Sequence, residues 1–583
     1  MNKKALVTAM LLSCNLYNTT MAKEEIIEIR IVQTSDVHGC FFPYDFIDMQ
    51  PATGSMARVA SYVNKLRAEY GEKLLLLDNG DILQGQPTCY YCNFVKPETP
   101  NVAASVTNYL GYDAQTIGNH DIETGHTVYD KWTDELSHPI LGANIINTTT
   151  GEPYLQPYTV FERNGVRIAV IGMLTPAIPN WLNEHLWHGM RFEDITTSAK
   201  KWIKIIKEKE HPDIIIGLLH SGRSGGITTN EYEENAALHV AHEIPGFDLI
   251  LYGHDHKSNK EWITNAEGGK VLCLNPSSNA NYISDAKITL TITNGTVTDK
   301  NIKGDIVDIR NQPIDKDFMA HFKAEYDSVL TFVCRKIGTF ANTIYTRDSY
   351  FGSSPFCDFI HNLQLKITGA DISFNAPLSF DASIKAGDVH VSDLFNLYKY
   401  ENQVYALRMT GEEIRRYLEM SYNQWVNTMR SPDDHILLIE RNGNNGGGNC
   451  YGFKNLAFNF DSAAGIDYEV DVTKPEGQKV RILKMSDGKP FDEKKWYTVA
   501  MNSYRGNGGG ELLTKGAGIP HDSLPARIIF ESEHDQRYYL MKEIENSGTM
   551  NPRPNNNWRF TPSEWAEPAI IRDKQLLFGT KSD

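Results

Sequence analysis

A chain of 583 residues is too long for one compact core, so two large domains are expected. Apolar content of 41% and charged content of 22% suit an ordinary folded chain. A net charge of −16 argues against a nucleic-acid polymer as partner, because such binders need basic stripes to neutralise phosphates. A small anionic substrate is still allowed, since bound divalent cations can reverse the local field.

Lys3 and Lys4 precede a mostly apolar run over 5–12, and small residues Thr20 and Ala22 follow a polar stretch. That order is the n-region, h-region and cleavage site of an export signal, which predicts removal of residues 1–22 and a periplasmic or secreted product. Leu11-Leu12-Ser13-Cys14 offers an alternative, a lipoprotein box anchored through Cys14 at a membrane surface. No other stretch approaches the ~20 apolar residues that would span a bilayer.

Strand and helix patterns then alternate. Ile27, Ile29 and Ile31 alternate with Glu28 and Arg30, as in a half-buried strand. The run over 74–77 is continuously apolar, the mark of a strand covered on both faces, and 213–219 and 247–252 repeat it. Met56, Val59, Ala60, Val63 and Leu66 form one helical face, and Ile195, Ala199, Trp202, Ile203 and Ile206 another. Cys89 and Cys92 have zinc or redox spacing, but no second pair accompanies them, and packed thiols or an incidental disulfide are expected. Several strands follow over 271–298, with Asn294-Gly295 as a hairpin turn, so the first half reads as an α/β sandwich with some antiparallel strands. Phe318, Phe322, Tyr326 and Leu330 predict one connecting helix, stopped at Gly338. A second α/β region comes after it, with a strand over 403–409, a helix over 411–422 and a Gly/Asn-rich surface loop over 442–449.

Five times an apolar run stops and metal-ligand side chains appear. The chain presents Asp36 and His38, then Asp81 in Gly80-Asp81, then Gly118-Asn119-His120-Asp121, then His220, then Gly253-His254-Asp255-His256. Ligands at the carboxyl ends of neighbouring strands converge on one crevice. Imidazole and carboxylate together suit Zn, Mn, Fe or Co rather than calcium, and a carboxylate can bridge two such ions. Two metals ~3.5–4 Å apart clamp the attacking and leaving oxygens of an in-line displacement. The glycines beside these residues, Gly39, Gly80, Gly118 and Gly253, let the backbone turn sharply there.

On these motifs the sequence resembles the calcineurin-like metallophosphoesterases, and among them the bacterial periplasmic nucleotidases. The resemblance implies an α/β/β/α sandwich over 23–303, a linker with a helix over 304–337 and a substrate-binding α/β nucleotidase domain over 338–583. It implies two divalent ions, Zn, Mn or Co. One would be held by Asp36, His38, Asp81 and His256, the other by Asp81, Asn119, His220 and His254. His120 matches the histidine that contacts phosphate and protonates the leaving oxygen. The 5′-nucleotidases place an Asp three residues beyond it; here Glu123 stands there, and both Glu123 and Asp121 are eligible to orient His120. Tyr400 and Tyr504 match the two rings that stack on the base, with Asn375, Gly508 and Gly509 in the same motifs.

Two departures bear on specificity. Where the 5′-nucleotidase type has a Gly-Gly-Gly-Ile-Arg run, this chain has Ala376-Pro377-Leu378-Ser379-Phe380, and where that type ends in Gly-Gly-Asp, Gly508-Gly509-Gly510 stands. Losing an Arg removes a bidentate anion grip. With the Tyr398-x-Tyr400-x-Asn402 pattern, these features resemble the 2′,3′-cyclic-nucleotide 2′-phosphodiesterase/3′-nucleotidase branch. The rival readings are a 5′-nucleotidase or UDP-sugar hydrolase, and an inactive nucleotide-binding protein, against which the intact ligand set speaks. A monomer acting on a small nucleotide is the expectation.

Overall fold

The computed structural model describes residues 24–444 and 451–579. The expected export signal, Cys14 and most of the Gly/Asn-rich loop lie outside the described residues.

The first half is two six-stranded sheets packed face to face. One runs in the order Thr296–Asp308, Tyr282–Thr293, Glu24–Thr34, Leu74–Asp78, Ala114–Thr116, Ile140–Leu141. The other runs Asn259–Thr264, Lys270–Asn275, Leu249–Tyr252, Ile214–His220, Val166–Leu174, Tyr158–Arg163. The central strands are parallel in both sheets; antiparallel strands close both edges of the second sheet and one edge of the first, whose other edge strand, Ile140–Leu141, is parallel. The apolar run over 74–77 is buried throughout because its two faces meet different layers. Leu75 and Leu77 point between the sheets with Ile29, Ile31, Ile216 and Leu218, whereas Leu74 and Leu76 point outward onto helix Met56–Tyr70 through Val59, Val63 and Leu66. On the opposite side Ile203 and Ile206 of helix Ile195–Glu210 cover the second sheet. This is the expected α/β/β/α sandwich. Asn294 and Gly295 both have positive φ, at 53° and 80°, as a tight hairpin turn requires.

The connecting segment differs from expectation. The edge strand continues to Asp308, five residues past the expected boundary at 303, because its register with Tyr282–Thr293 is unbroken there. The single expected helix is two, Lys316–His321 and Lys323–Val333, separated at Phe322. Phe318, Phe322 and Val329 are buried in the core of the first domain, and the backbone of Asp315 is tied to Ala57 O at 2.9 Å. The segment is therefore docked on the first domain, and Gly338 lies inside strand Lys336–Phe340 instead of ending a helix.

The second domain centres on a five-stranded sheet, Ser462–Ala464, Ile372–Asn375, Trp496–Asn502, Gln403–Thr410, Ile528–Asp535. Helix Gly411–Trp425 begins where expected because Thr410 and Glu413 form a capping box. Cys89 and Cys92 are buried free thiols. Among the described residues no helix is long and apolar enough to cross a membrane.

Candidate active site

The expected strand-end residues meet at one edge of the sandwich. Strands Glu24–Thr34, Leu74–Asp78 and Ala114–Thr116 lie side by side in one sheet and Ile214–His220 and Leu249–Tyr252 in the other, so their carboxyl ends share that edge. Polar contacts join the sheets there: Gln33 Nε2 donates to Tyr252 O at 3.1 Å, and Asn79 Nδ2 to Leu219 O at 3.0 Å. Asp36, His38, Asp81, His254 and His256 all take left-handed backbone, with φ of 50°, 49°, 57°, 73° and 55°. Each such residue costs on the order of 1–3 kcal/mol, a strain typical of sites whose side chains must be aimed.

Two donor clusters share Asp81. Ligand atoms of Asp36, His38, Asp81 and His256 lie within 4.8 Å of one another, and so do those of Asp81, His220 and His254. Asn119 Oδ1 joins the second cluster, 3.1 Å from His220 Nε2. The ring geometry fits cations. His38 Nδ1 is engaged by Gln84 O at 3.0 Å and His220 Nδ1 by Asn79 O at 2.6 Å, which fixes both rings and turns each Nε2 into the cleft. There His38 Nε2 stands 3.0 Å from His256 Nε2, and His220 Nε2 stands 3.1 Å from Asp81 Oδ2. That carboxylate oxygen is buried, with the imidazole as its ion-pair neighbour. Imidazole nitrogens and carboxylate oxygens brought this close fit divalent cations.

The same field acts on protons. Burial opposes charge at His120 and His220, yet the Asp81 carboxylate outweighs it and raises them to about 9 and about 10. Glu123 adds to the rise at His120. Burial and the neighbouring His256 push His38 down to about 3. Asp81 is held well below the usual carboxylate range, against its burial, by His220 and His120.

His120 opens the short helix Asn119–Ile122 and its backbone N donates to Asp81 Oδ1 at 2.8 Å. Its Nδ1 lies 2.6 Å from Glu123 Oε2. Of the two eligible partners, only Glu123 reaches the ring. Asp121 is fully occupied in holding the loop, accepting from the backbone N of Asp81, Ile82, Leu83 and Gly118 at 2.8–2.9 Å. The glycines also differ from expectation. Gly118 and Gly253 are there for room, not for a left-handed turn: a Cβ on Gly118 would overlap Asp81 Oδ1, and one on Gly253 would overlap Ser35 Oγ and come 2.5 Å from Asp36 Oδ2. Gly253→Ala is therefore expected to displace Asp36, lower metal content at the first cluster and cost about 1–3 kcal/mol of stability. Metal analysis and thermal unfolding of the variant check this; an unchanged metal content would show that the crowding is relieved elsewhere.

Several contributors carried no signal of their own in the sequence. Glu234 Oε1 lies 3.0 Å from His254 Nε2, the carboxylate–histidine arrangement that fixes a metal ligand's tautomer. Asn79 orients His220 from inside an Asp-Asn-Gly-Asp run of which only the last two residues stood out. In the second domain Tyr400 and Tyr504 are both half-buried. Tyr504 stands over Gly509, where a Cβ would come 2.6 Å from its ring, and Gly508 turns with φ 102°. Burial raises the Tyr504 hydroxyl to about 12, against the neighbouring Arg505 charge. Asn375 is buried, with Nδ2 on Ala376 O at 3.1 Å.

Paired His/Asp clusters at strand ends, with a His–Glu couple beside them, define a metal-dependent phosphoester hydrolase. Residues 29–258 match the family model for calcineurin-like phosphoesterase, and residues 336–515 that for the 5′-nucleotidase C-terminal domain. The chain thus carries a calcineurin-like phosphoesterase domain followed by a 5′-nucleotidase C-terminal domain. It is 29% identical, over 92% of its length, to a trifunctional nucleotide phosphoesterase of Bacillus subtilis, of which it spans only 39%. It is 27% identical to a 2′,3′-cyclic-nucleotide 2′-phosphodiesterase/3′-nucleotidase of Haemophilus influenzae, covering 94% of this chain and 90% of that one. In fold it is similar to the crystal structure of a putative 5′-nucleotidase from Staphylococcus aureus, with a TM-score of 0.74 at 20% identity, covering 92% of this chain and 100% of that one.

Proposed function

We infer that this chain hydrolyses 2′,3′-cyclic nucleotides at the 2′-ester and then the resulting 3′-nucleotide, releasing nucleoside and phosphate. The observation that carries the reading is the buried Asp81 carboxylate, common to both donor clusters and bonded to the backbone of His120, the partner of Glu123. Relatives from Haemophilus influenzae, Yersinia enterocolitica and Salmonella typhimurium named for this activity, each aligned over 92% or more of this chain, support the substrate class. Asp36, His38, Asp81 and His256 would hold one divalent ion, and Asp81, Asn119, His220 and His254 the other, with Zn, Mn or Co preferred by the donors. When bound, the ions supply positive charge to the phosphoryl oxygens and favour ionisation of the attacking water.

The remaining steps fall to the protein. Water adds to phosphorus opposite the ester oxygen, and as that P–O bond breaks His120 gives its proton to the leaving 2′- or 3′-oxygen. Glu123, bonded to His120 Nδ1, orients the ring and favours its charged form. Tyr400 and Tyr504 would stack on the base. Removal of residues 1–22 with release to the periplasm, the alternative anchor at Cys14, and a monomeric state belong to the same reading.

Phosphate release from 2′,3′-cyclic AMP, 3′-AMP and 5′-AMP tests it: the first two should be preferred, and a preference for 5′-AMP would overturn the branch assignment. For the tyrosines, Tyr400→Ala or Tyr504→Ala should lower kcat/KM for nucleotides roughly five- to a hundredfold, stacking being worth ~1–3 kcal/mol per base. A small aryl phosphate, with no base to stack, should be much less affected. Equal losses on both substrates would retire the base sandwich.

A further inference from the structure

Glu123 is held from both domains. Its Oε2 takes His120 Nδ1 at 2.6 Å and Gln84 Nε2 at 3.3 Å, both from the first domain. Its Oε1 accepts from Nδ2 of Asn402, in the second domain, at 3.2 Å. Asn402 is 5% exposed, so water competes weakly for this charge-assisted bond. The amide is itself fixed. Tyr398 OH donates to Asn402 Oδ1 at 3.4 Å, and Asn402 O accepts from Gln536 N at 2.8 Å. The buried Arg537 clamps the whole turn, through Tyr398 O at 3.1 Å, Lys399 O at 2.8 Å and Glu401 Oε1 at 2.8 Å. Its guanidinium also lies 4.8 Å from the ring of Tyr90, whose hydroxyl reaches across the domain interface to Asp535 Oδ2 at 3.0 Å.

We propose that Asn402 is a positioning residue for the hydrolysis, acting through Glu123 on His120, so that the second domain completes the alignment of the proton donor. A carboxylate has two oxygens and can swing about its Cγ–Cδ bond; with Oε1 pinned by Asn402, Oε2 is left aimed at the imidazole. The residue would thus serve every ester whose leaving oxygen needs a proton, whether or not a base is attached. Tyr400 lies two residues earlier on the same clamped turn, so the segment offered to the base is also the one that steadies the acid. This rests on the reading of His120 as proton donor.

The test uses the metal-loaded full chain and three probes: 3′-AMP, glycerol 2-phosphate, which is an alkyl ester without a base, and 4-nitrophenyl phosphate, whose leaving group departs without protonation. Asn402→Ala should lower kcat on the first two about tenfold, at the lower end of what outer-shell partners cost, with little change in KM and less loss on the third. Asn402→Asp, isosteric but placing a carboxylate against Glu123, should be at least as damaging, with metal content and melting temperature showing both variants folded. In a Glu123→Gln background, Asn402→Ala should add little further loss, because the two act in series. Weaker binding of the nucleotide probe with kcat intact, or a loss that multiplies with that of Glu123→Gln, would overturn the proposal. If Glu123→Gln alone left kcat unchanged, the reading of His120 would fall first and this one with it.

Discussion

Asp81→Asn is expected to remove metal from both clusters at once and to lower kcat by about 10²–10⁴. Even outer-shell changes cost ~10–100-fold per ion, and among the described residues Asp81 alone is shared by the two donor groups. Asparagine keeps the size and can still accept the backbone N–H of His120 on Oδ1. What it loses is the charge at Oδ2, the buried atom 3.1 Å from His220 Nε2. Asp36→Asn removes a charge of the same kind from one cluster only, so it should cost less and leave the second ion bound. Elemental analysis beside turnover separates the cases, with chelation followed by Mn²⁺, Co²⁺, Zn²⁺ or Ca²⁺ as companion. Full turnover in stripped protein, or an Asp81→Asn variant retaining both ions and most activity, would remove the two-metal reading.

Much of this centre could be read from residue order, for a physical reason. A parallel strand covered on both faces leaves a continuous apolar run, and the residue types that follow it sit at a known edge. The runs ending before Asp36, Asp81, Asn119 and His254, and the one that ends in His220, therefore told where those side chains would meet. The same logic gave helix faces such as Val59, Val63 and Leu66.

What stayed hidden depends on contacts between distant segments. Glu234 reaches His254 from a two-stranded loop with no motif, and Asn402 reaches Glu123 across 279 positions. Glu234 belongs to no motif, and the pattern that holds Asn402 says nothing of a contact with Glu123. The choice between Asp121 and Glu123 was of the same kind: both lie within a helical turn of His120, and what sets them apart is that Asp121 bonds four loop amides while Glu123 meets the ring. The division of the connecting helix at Phe322 was hidden too, because Phe318, Phe322, Tyr326 and Leu330 keep helical spacing straight through the break. Their apolar face was real, but it serves to dock the segment on the first domain.

His120→Asn should separate chemistry from binding. The ring sits beside both clusters, 5.5 Å from His38 between centroids, yet it belongs to neither donor group. Its replacement should therefore leave both ions in place and cut turnover of 3′-nucleotides by ~10²–10⁴, the usual worth of a positioned general acid. The leaving group supplies the sharper criterion. A ribose oxygen departs as a strongly basic alkoxide and needs the proton, whereas 4-nitrophenolate is stable without it. The variant should accordingly lose much more on 3′-AMP than on 4-nitrophenyl phosphate. Glu123→Gln should follow the same pattern with a smaller loss, because the ring remains and only its orientation and its preference for the charged form suffer. Loss of metal from His120→Asn would make the residue a ligand. Equal losses on the two esters with both ions retained would leave it a phosphate contact, and the proton donor would have to be sought elsewhere in the cleft.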